Sequence, residues 1–383
     1  MRALHVITGL GVGGAEQQLR LLLRHLPVEC DVVTLTNPGA VAAGLAADGV
    51  KVVHLGMAGN RDLAALPRLV RVIRSGRYDL VHTHLYRACL YGRLAARMAG
   101  VRAVVATEHS LGDSQMEGRP LSAGVRALYL AGERLGRTTV AVSPTVAARL
   151  TRWGVPAPRI AVVPNGIDVD RFRFDPAVRH RTRRRLGLPQ DAYVVGAIGR
   201  LTAGKRFDTA VRALARLPGD CWLLLVGGGP EENVLRRVAH EAGVADRVLL
   251  TGERPGLPDG SPGPDLPALA CAMDVLVSPC PEEAFGLAVV EALACGLPVV
   301  YASCPALEDL PPHAAPAARR VTGGPDAFAR ALADVRRQGP RPRDVPEAAR
   351  HYCITRSAGR LMDVYATALS SPSSPSRQEA STS

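Results

Sequence analysis

The chain has 383 residues, 47% of them apolar, enough for two domains of about 150–200 residues with separate cores. Its formal net charge is +12, yet aromatic residues make up only 4%, so the stacking platforms of a nucleic-acid-binding protein are missing and no nucleic-acid partner is expected. No apolar run approaches the roughly 18 residues that span a bilayer, and residues 1–8 lead into a strand rather than a signal peptide; the expected location is the cytoplasm or the inner face of the membrane.

In chain order, short β-rich runs alternate with helix-length amphipathic segments, the pattern of parallel sheets built from βαβ units. The first half carries apolar runs at 3–8, 31–36, 51–54, 80–82, 103–106, 138–142 and 160–163, with helical candidates at 15–26, 63–75, 87–99 and 144–153. Ser143 reads as an N-cap and Pro144 as a first-turn residue. Residues 164–189 break the alternation with Pro, Asn, Asp and Arg, and read as a loop and linker with a short basic helix. Strands then resume at 193–199, 222–226, 248–250, 275–277 and 299–301, with helices at 207–217, 231–242 and 286–295. Residues 254–267 read as a Pro/Gly-rich surface loop, and the Ser/Pro-rich end from about 370 as a disordered tail. The fold class is therefore α/β, with two Rossmann-like domains whose strand ends face a shared cleft, where ligands of such sheets bind.

Three constellations fall at those strand ends. The run Gly9-Leu10-Gly11-Val12-Gly13-Gly14-Ala15-Glu16 joins the first strand to the first helix, where glycines let an anion approach free amides. A dinucleotide site would also need an acid after the second strand; Leu35-Thr36-Asn37 supplies none, which argues against NAD or NADP and leaves a phosphate- or sugar-contacting loop or a structural turn. The run Gly199-Arg200-Leu201-Thr202-Ala203-Gly204-Lys205-Arg206 nearly matches a Walker A loop, but Arg206 stands where a magnesium-binding hydroxyl belongs. What survives is Arg200 and Lys205 together, a fork and a point charge suited to a diphosphate. Only two of the chain's cations are lysines, Lys51 and Lys205, which gives Lys205 added weight. Most specific is the stretch from Glu283 through Ala284, Phe285, Gly286 and Leu287 to Glu291, closed by Gly296 and Pro298: two carboxylates with seven residues between them around a helix start with free amides.

This last stretch resembles the E-x7-E signature of glycosyltransferase family four, retaining enzymes of the GT-B fold, and the resemblance extends over nearly the whole chain. Gly13 and Gly14 match the family's N-terminal glycine loop, Glu108-His109 its strand-end histidine, and Pro164-Asn165-Gly166-Ile167-Asp168 its domain-closing turn. Arg200 and Lys205 match its diphosphate clamp, and Gly227-Gly228-Gly229-Pro230 its base-side glycine loop. The resemblance implies that Arg200 and Lys205 neutralise the diphosphate and that Glu291 hydrogen-bonds the ribose. It also implies that Glu283 and the amides of Ala284, Phe285, Gly286 and Leu287 hold the donor sugar, with His109 nearby and Gly227 and Gly228 on the base side. It implies hexosyl transfer from a nucleotide diphosphate-sugar to a hydroxyl of a glycan or small-molecule acceptor, a lipid-linked or exopolysaccharide intermediate first, with a small secondary metabolite as the alternative. A non-transferring epimerase is the alternative within the fold. No enzymatic nucleophile, cofactor or metal is implied.

The expected organisation is an acceptor domain over residues 1–170, a linker over 171–190 and a nucleotide-sugar domain over 191–348. A helix at 349–369 is expected to cross back to the first domain, ahead of a tail at 370–383. Peripheral membrane contact is compatible with the basic charge, although an arginine-rich composition explains that charge equally well. Asp168-Val169-Asp170 reads as turn chemistry rather than a metal-binding DxD. His82-Thr83-His84 lacks a third ligand in sequence and reads as polar contacts in the cleft, and the run of basic residues at 179–185 as a solvated helix face. The eight cysteines contain no CxxC pair, so neither a zinc knuckle nor a redox pair is expected.

Overall fold

A computed structural model describes residues 1–59, 62–112, 115–116, 119–254 and 264–370. Seven parallel strands form the first sheet: β1 (Arg2–Ile7), β2 (Glu29–Thr34), β3 (Lys51–His54), β4 (Leu80–His84), β5 (Ala103–Glu108), β6 (Thr138–Ala141) and β7 (Ile160–Val162). Their order is β3-β2-β1-β4-β5-β6-β7. Six more form the second sheet: β8 (Tyr193–Ile198), β9 (Cys221–Val226), β10 (Val248–Leu250), β11 (Val275–Ser278), β12 (Val299–Tyr301) and β13 (Ala318–Arg320). Their order is β10-β9-β8-β11-β12-β13. In both sheets the order reverses beside the first strand, which opens a crevice at the strand C-termini. Every residue of β4 and β5 is buried, because helices cover both faces and the strands need no polar alternation.

The helices that frame the site are α1 (Gly14–Leu23), α2 (Pro144–Trp153), α3 (Pro176–Leu186), α4 (Leu287–Ala294) and α5 (Ile354–Leu369). Ser143 caps α2 through its Oγ, which accepts from the Val146 amide at 3.1 Å, and Pro144 occupies the first turn. Asp175 caps α3 in the same way, and Gly187 ends it with left-handed backbone. Arginines of this basic helix are only partly solvated, a correction to the sequence reading. Arg183 is fully buried and donates to the carbonyls of Ala272, Gln190 and Ala192 and to Asp274, while Arg179 donates to Met273 O and Asp274. The cause is that α3 packs on the helix Leu266–Ala272, whose end presents unpaired carbonyls.

The final helical stretch is interrupted. Glu347–His351 ends before Tyr352, and α5 begins at Ile354. Between them the chain pairs with the turn after β7: Ile167 N donates to Tyr352 O at 2.7 Å and Ile354 N to Ile167 O at 2.9 Å. Beyond this stitch α5 lies on β5 and α1 of the first sheet. One apolar cluster runs from Val142, Val146 and Leu150 through Ile167 and Phe172 to Phe285, Val289 and Leu293, so α2 and α4 share a core across the two sheets.

The helices Gly39–Ala47, Ala123–Glu133 and Pro325–Arg337 and the edge strand β13 were not singled out by pattern. Gly39–Ala47 is apolar throughout, without a polar face, and β13 reads Ala-Arg-Arg, so neither carries the usual periodicity. Of the 254–267 loop, 255–263 lies outside the described residues, as does the tail from 371.

Candidate active site

The glycine loop after β1 bends into α1 with Gly13 as its extended N-cap. A side chain at Gly13 would meet the Glu16 carboxylate and lie 2.7 Å from Arg200 Nη2, and one at Gly14 would touch Leu287 Cδ1 at 3.5 Å. The loop of the first sheet therefore abuts both the Arg200 loop and the start of α4 in the second. Arg200 Nη2 lies 3.9 Å from the buried Glu16 carboxylate. Burial raises the Glu16 carboxyl above the usual carboxylate range, against the pull of its own backbone amide and Arg200.

Behind that contact the two glycine loops of the second sheet pack backbone to backbone. Leu201 N donates to Gly228 O at 2.8 Å, and Glu231 N to Leu201 O at 3.0 Å. Gly227 has φ 140°, and a Cβ there would strike the Gly199 carbonyl, so this approach requires glycine. Lys205 turns the other way, and its ammonium is paired with the Glu283 carboxylate. Burial lowers the Lys205 pKa, but Glu283 outweighs it and the net shift is upward.

Gly286 caps α4 with left-handed backbone at φ 100°, and Val289 N and Val290 N both donate to its carbonyl. The amides of residues 284–287 donate to no protein acceptor among the described residues. They form a set of free donors at a helix start, an arrangement that favours an anion. The Phe285 side chain is not part of this surface; it is buried edge-on against Tyr352 at 5.0 Å and leaves only its amide available. Two residues not singled out for the site fix this loop from the first sheet's side. Ser143 Oγ donates to Ala284 O at 2.7 Å, and Arg149 Nη1 donates to Glu283 O at 3.0 Å and to Leu111 O at 3.1 Å. Ser143 was legible as a helix cap, but its second hydrogen bond, and Arg149, depend on tertiary placement.

Gly13, Gly14, Arg200, Lys205, Glu283, Ala284 and Leu287 are thus brought together, with Gly227 and Gly228 directly behind Arg200. Glu291, a turn into α4, faces Arg171; burial raises its carboxyl to about 7, opposed by Arg171. His109 follows β5, where its Nε2 lies 3.1 Å from His84 Nδ1 and its Nδ1 is buried without a partner. Asp168 forms the expected turn, its carboxylate accepting from Arg171 N at 3.3 Å.

The His82/His84 reading needs correction. Neither lines the cleft: both are fully buried where α5 covers the sheet, and β1 adds His5 as a third imidazole. The three place ring nitrogens within 4.8 Å of one another, a spacing that could hold a metal ion. Both nitrogens of His82 are instead engaged by protein, at 2.7 Å from Tyr365 OH and 2.7 Å from Thr107 Oγ1.

Residues 12–171 match Glycosyltransferase Family 4, and residues 178–352 match Glycosyl transferases group 1. A D-inositol 3-phosphate glycosyltransferase of Salinispora tropica is 33% identical over 80% of this chain and 67% of its own length. A 2-deoxystreptamine glucosyltransferase of Streptomyces kanamyceticus is 32% identical over 62% of each chain. A GDP-mannose-dependent alpha-(1-6)-phosphatidylinositol monomannoside mannosyltransferase of Mycolicibacterium smegmatis is 36% identical over 54% of this chain and 53% of its own length. Over the last two, the chain spans less than two thirds of the relative. Among solved structures, Anabaena Alr3699/HepE in complex with UDP and glucose shares the fold at a TM-score of 0.82, 22% identity, and 96% and 100% coverage. WaaG, a glycosyltransferase of lipopolysaccharide biosynthesis, does so at 0.68 and 17%, with 95% and 99% coverage. No helix among the described residues is long and apolar enough to cross a membrane.

Proposed function

Because this chain belongs to glycosyltransferase family 4 and is a nucleotide-sugar glycosyltransferase, we propose that it transfers a hexose, with retention at the anomeric carbon, to a small polyhydroxylated acceptor. The observation that carries the donor half of this reading is the convergence of Arg200, Lys205 and the unpartnered amides of residues 284–287 on one side of the cleft. Cleavage of the sugar–phosphate bond moves negative charge onto the leaving nucleoside diphosphate. Preorganised cations and helix-start amides stabilise that charge more in the transition state than in the ground state. In this reading Lys205 exchanges Glu283 for a phosphate, which frees Glu283 to accept from the sugar hydroxyls. Glu291 accepts from the ribose, and Gly13 and Gly14 close the phosphate side. No side chain is assigned as a nucleophile. Closure of the halves excludes the water that would hydrolyse the donor.

The small acceptor is favoured by the relatives named for D-inositol 3-phosphate and 2-deoxystreptamine. A lipid-linked or exopolysaccharide acceptor, met by peripheral contact with the cytoplasmic membrane face, is the second reading. It is favoured by the relative named for a phosphatidylinositol mannoside. The test is mass spectrometry of products after incubation with UDP-, GDP- and dTDP-sugars, with cyclitol or lipid-linked acceptors. Donor conversion without acceptor modification would indicate an epimerase instead and overturn the transfer reading.

A further inference from the structure

The histidines behind the site are left unused by that reading, yet they form a continuous hydrogen-bonded chain ending at His109. The parallel register of β1 and β4 sets His5 beside His82 and Ile7 beside His84. His82 and His84, two residues apart, share one face of the sheet. From the far end, Thr107 Oγ1 lies 2.7 Å from His82 Nε2, and His82 Nδ1 lies 2.7 Å from Tyr365 OH on α5. The Tyr365 hydroxyl is 3.4 Å from His5 Nε2, His5 Nδ1 is 3.0 Å from His84 Nε2, and His84 Nδ1 is 3.1 Å from His109 Nε2. His5, His82, His84 and Tyr365 are essentially inaccessible to solvent. Burial holds all four imidazoles below the usual histidine range, His5 at about 3 and His109 at about 4, so each is neutral at physiological pH.

A neutral imidazole has one N–H and one lone pair. Five contacts in series can therefore be satisfied in three ways: every proton pointing toward His109, every proton pointing away, or Tyr365 accepting from both His82 Nδ1 and His5 Nε2 with its own hydroxyl proton left over. If they point away, all four imidazoles carry the proton on Nε2, and the Thr107 hydroxyl proton has no acceptor among the described residues. If they point toward His109, Thr107 donates to His82, His82 to Tyr365, Tyr365 to His5, His5 to His84 and His84 to His109. Only the His109 Nδ1–H is then left over. Either alternative leaves two buried groups unpaired, a hydroxyl proton of Thr107 or Tyr365 and the His109 Nδ1 lone pair, against the single Nδ1–H of the arrangement toward His109, which is therefore favoured.

We propose that Thr107, His82, Tyr365, His5 and His84 are positioning residues that lock His109 as a neutral Nδ1–H donor, reserved for an oxygen of the bound nucleotide-sugar. His84 occupies the Nε2 lone pair, so His109 serves as a hydrogen-bond donor and not as a general base. The ligand part of this proposal rests on the donor reading given above; the tautomer part does not.

The test is ¹⁵N imidazole NMR on the full-length enzyme, with His109→Phe, His84→Phe and His5→Phe for assignment. The expected result is an Nδ1–H tautomer for all four histidines, from neutral to mildly acidic pH. Tyr365→Phe, a small change, should let the His109 tautomer become mixed. It should lower kcat roughly tenfold, the scale of one hydrogen bond, with donor KM within about twofold. His84→Phe should do the same, and His84→Gln, whose amide can still donate to His109 Nε2, should recover most of the loss. An Nε2–H tautomer at His109 in the wild type overturns the proposal, as does an unchanged kcat in Tyr365→Phe. Calorimetry with UDP- and GDP-sugars runs alongside: a wild type that binds neither defeats the donor reading while the tautomer assignment is judged on the NMR alone.

Discussion

Lys205 is ion-paired with Glu283, and this contact joins the loop after β8 to the loop that starts α4. Both charges are satisfied by each other, and in the proposed mechanism a ligand brings the phosphate and hydroxyl groups that replace them. Lys205→Ala is therefore expected to reduce kcat/KM by roughly 10²–10³-fold, the range for losing one preorganised charge-stabilising group. Lys205→Arg should restore little, because a planar fork cannot occupy the place of a compact ammonium. Steady-state kinetics decide it: turnover of the alanine variant within threefold of wild type removes Lys205 from the leaving-group role.

Glu291 gives a pH signature. Burial raises its carboxyl to about 7, and an acceptor of ribose hydroxyls works best as the carboxylate. As pH falls through 7 the group takes up a proton, so donor affinity must fall with it. From pH 8 to pH 6 the dissociation constant should rise up to about tenfold, since only about a tenth of the group stays ionised. Glu291→Gln should bind weakly and show a flat profile. A Glu291→Gln variant that keeps the wild-type slope in calorimetry assigns the pH dependence elsewhere.

Ser143 and Arg149 hold, from the opposite sheet, the loop proposed to meet the donor sugar. Ser143→Ala loses the cap of α2 as well as the bond to Ala284 O, and should cost about 1 kcal/mol of stability in denaturant unfolding. Arg149→Met leaves the carbonyls of Glu283 and Leu111 without their donor, at about 1–3 kcal/mol. Because Leu111 belongs to the first domain, proposed to hold the acceptor, Arg149→Met should raise acceptor KM as well as donor KM. Movement of donor KM alone would mean that the two loops are not coupled through this side chain.

The sequence was read best where chemistry and backbone geometry coincide. Glycines 13 and 14 and the charged residues Lys205 and Glu283 were legible because close backbone approach and charge leave few substitutes, and glycines 227 and 228 through the family resemblance. Arg183 and the histidines were misread for a common reason. An arginine in a basic run and a histidine at a strand end look solvent-facing in one dimension. Their burial is imposed by partners 89 to 283 residues away, Ala272 O for Arg183 and Tyr365 for His82. Arg149 carried no local signal at all, since its acceptors are loop carbonyls of two different segments.

Gly227→Ala tests the loop proposed to lie on the base side. Its φ of 140° is strained for any side chain, and the added methyl would push on the Gly199 carbonyl, a backbone atom that cannot swing aside. The loops of Arg200 and Gly228 would separate. A loss of about 1–3 kcal/mol in stability is expected, with nucleotide affinity falling while the far-UV spectrum of the rest is preserved. Nucleotide binding unchanged by the alanine would place the base elsewhere.

Arg183 tests what fixes the linker helix to the second sheet. Its side chain is 1% exposed and ends on Asp274, which also accepts from Arg179 and from Val194 N at the start of β8. Arg183→Met keeps the volume but deprives Asp274 and three carbonyls of their donor. Removing one member of a buried ion pair typically costs about 3–5 kcal/mol, and Arg179, still paired with Asp274, should hold the loss near the lower end. The helix carries the crossing between the halves, so the loss should appear as a lower unfolding temperature for the second half and a weaker effect on the first. Differential scanning calorimetry separates the two. A single transition shifted by less than about 2 °C would show that the buried guanidinium contributes specificity of packing rather than stability.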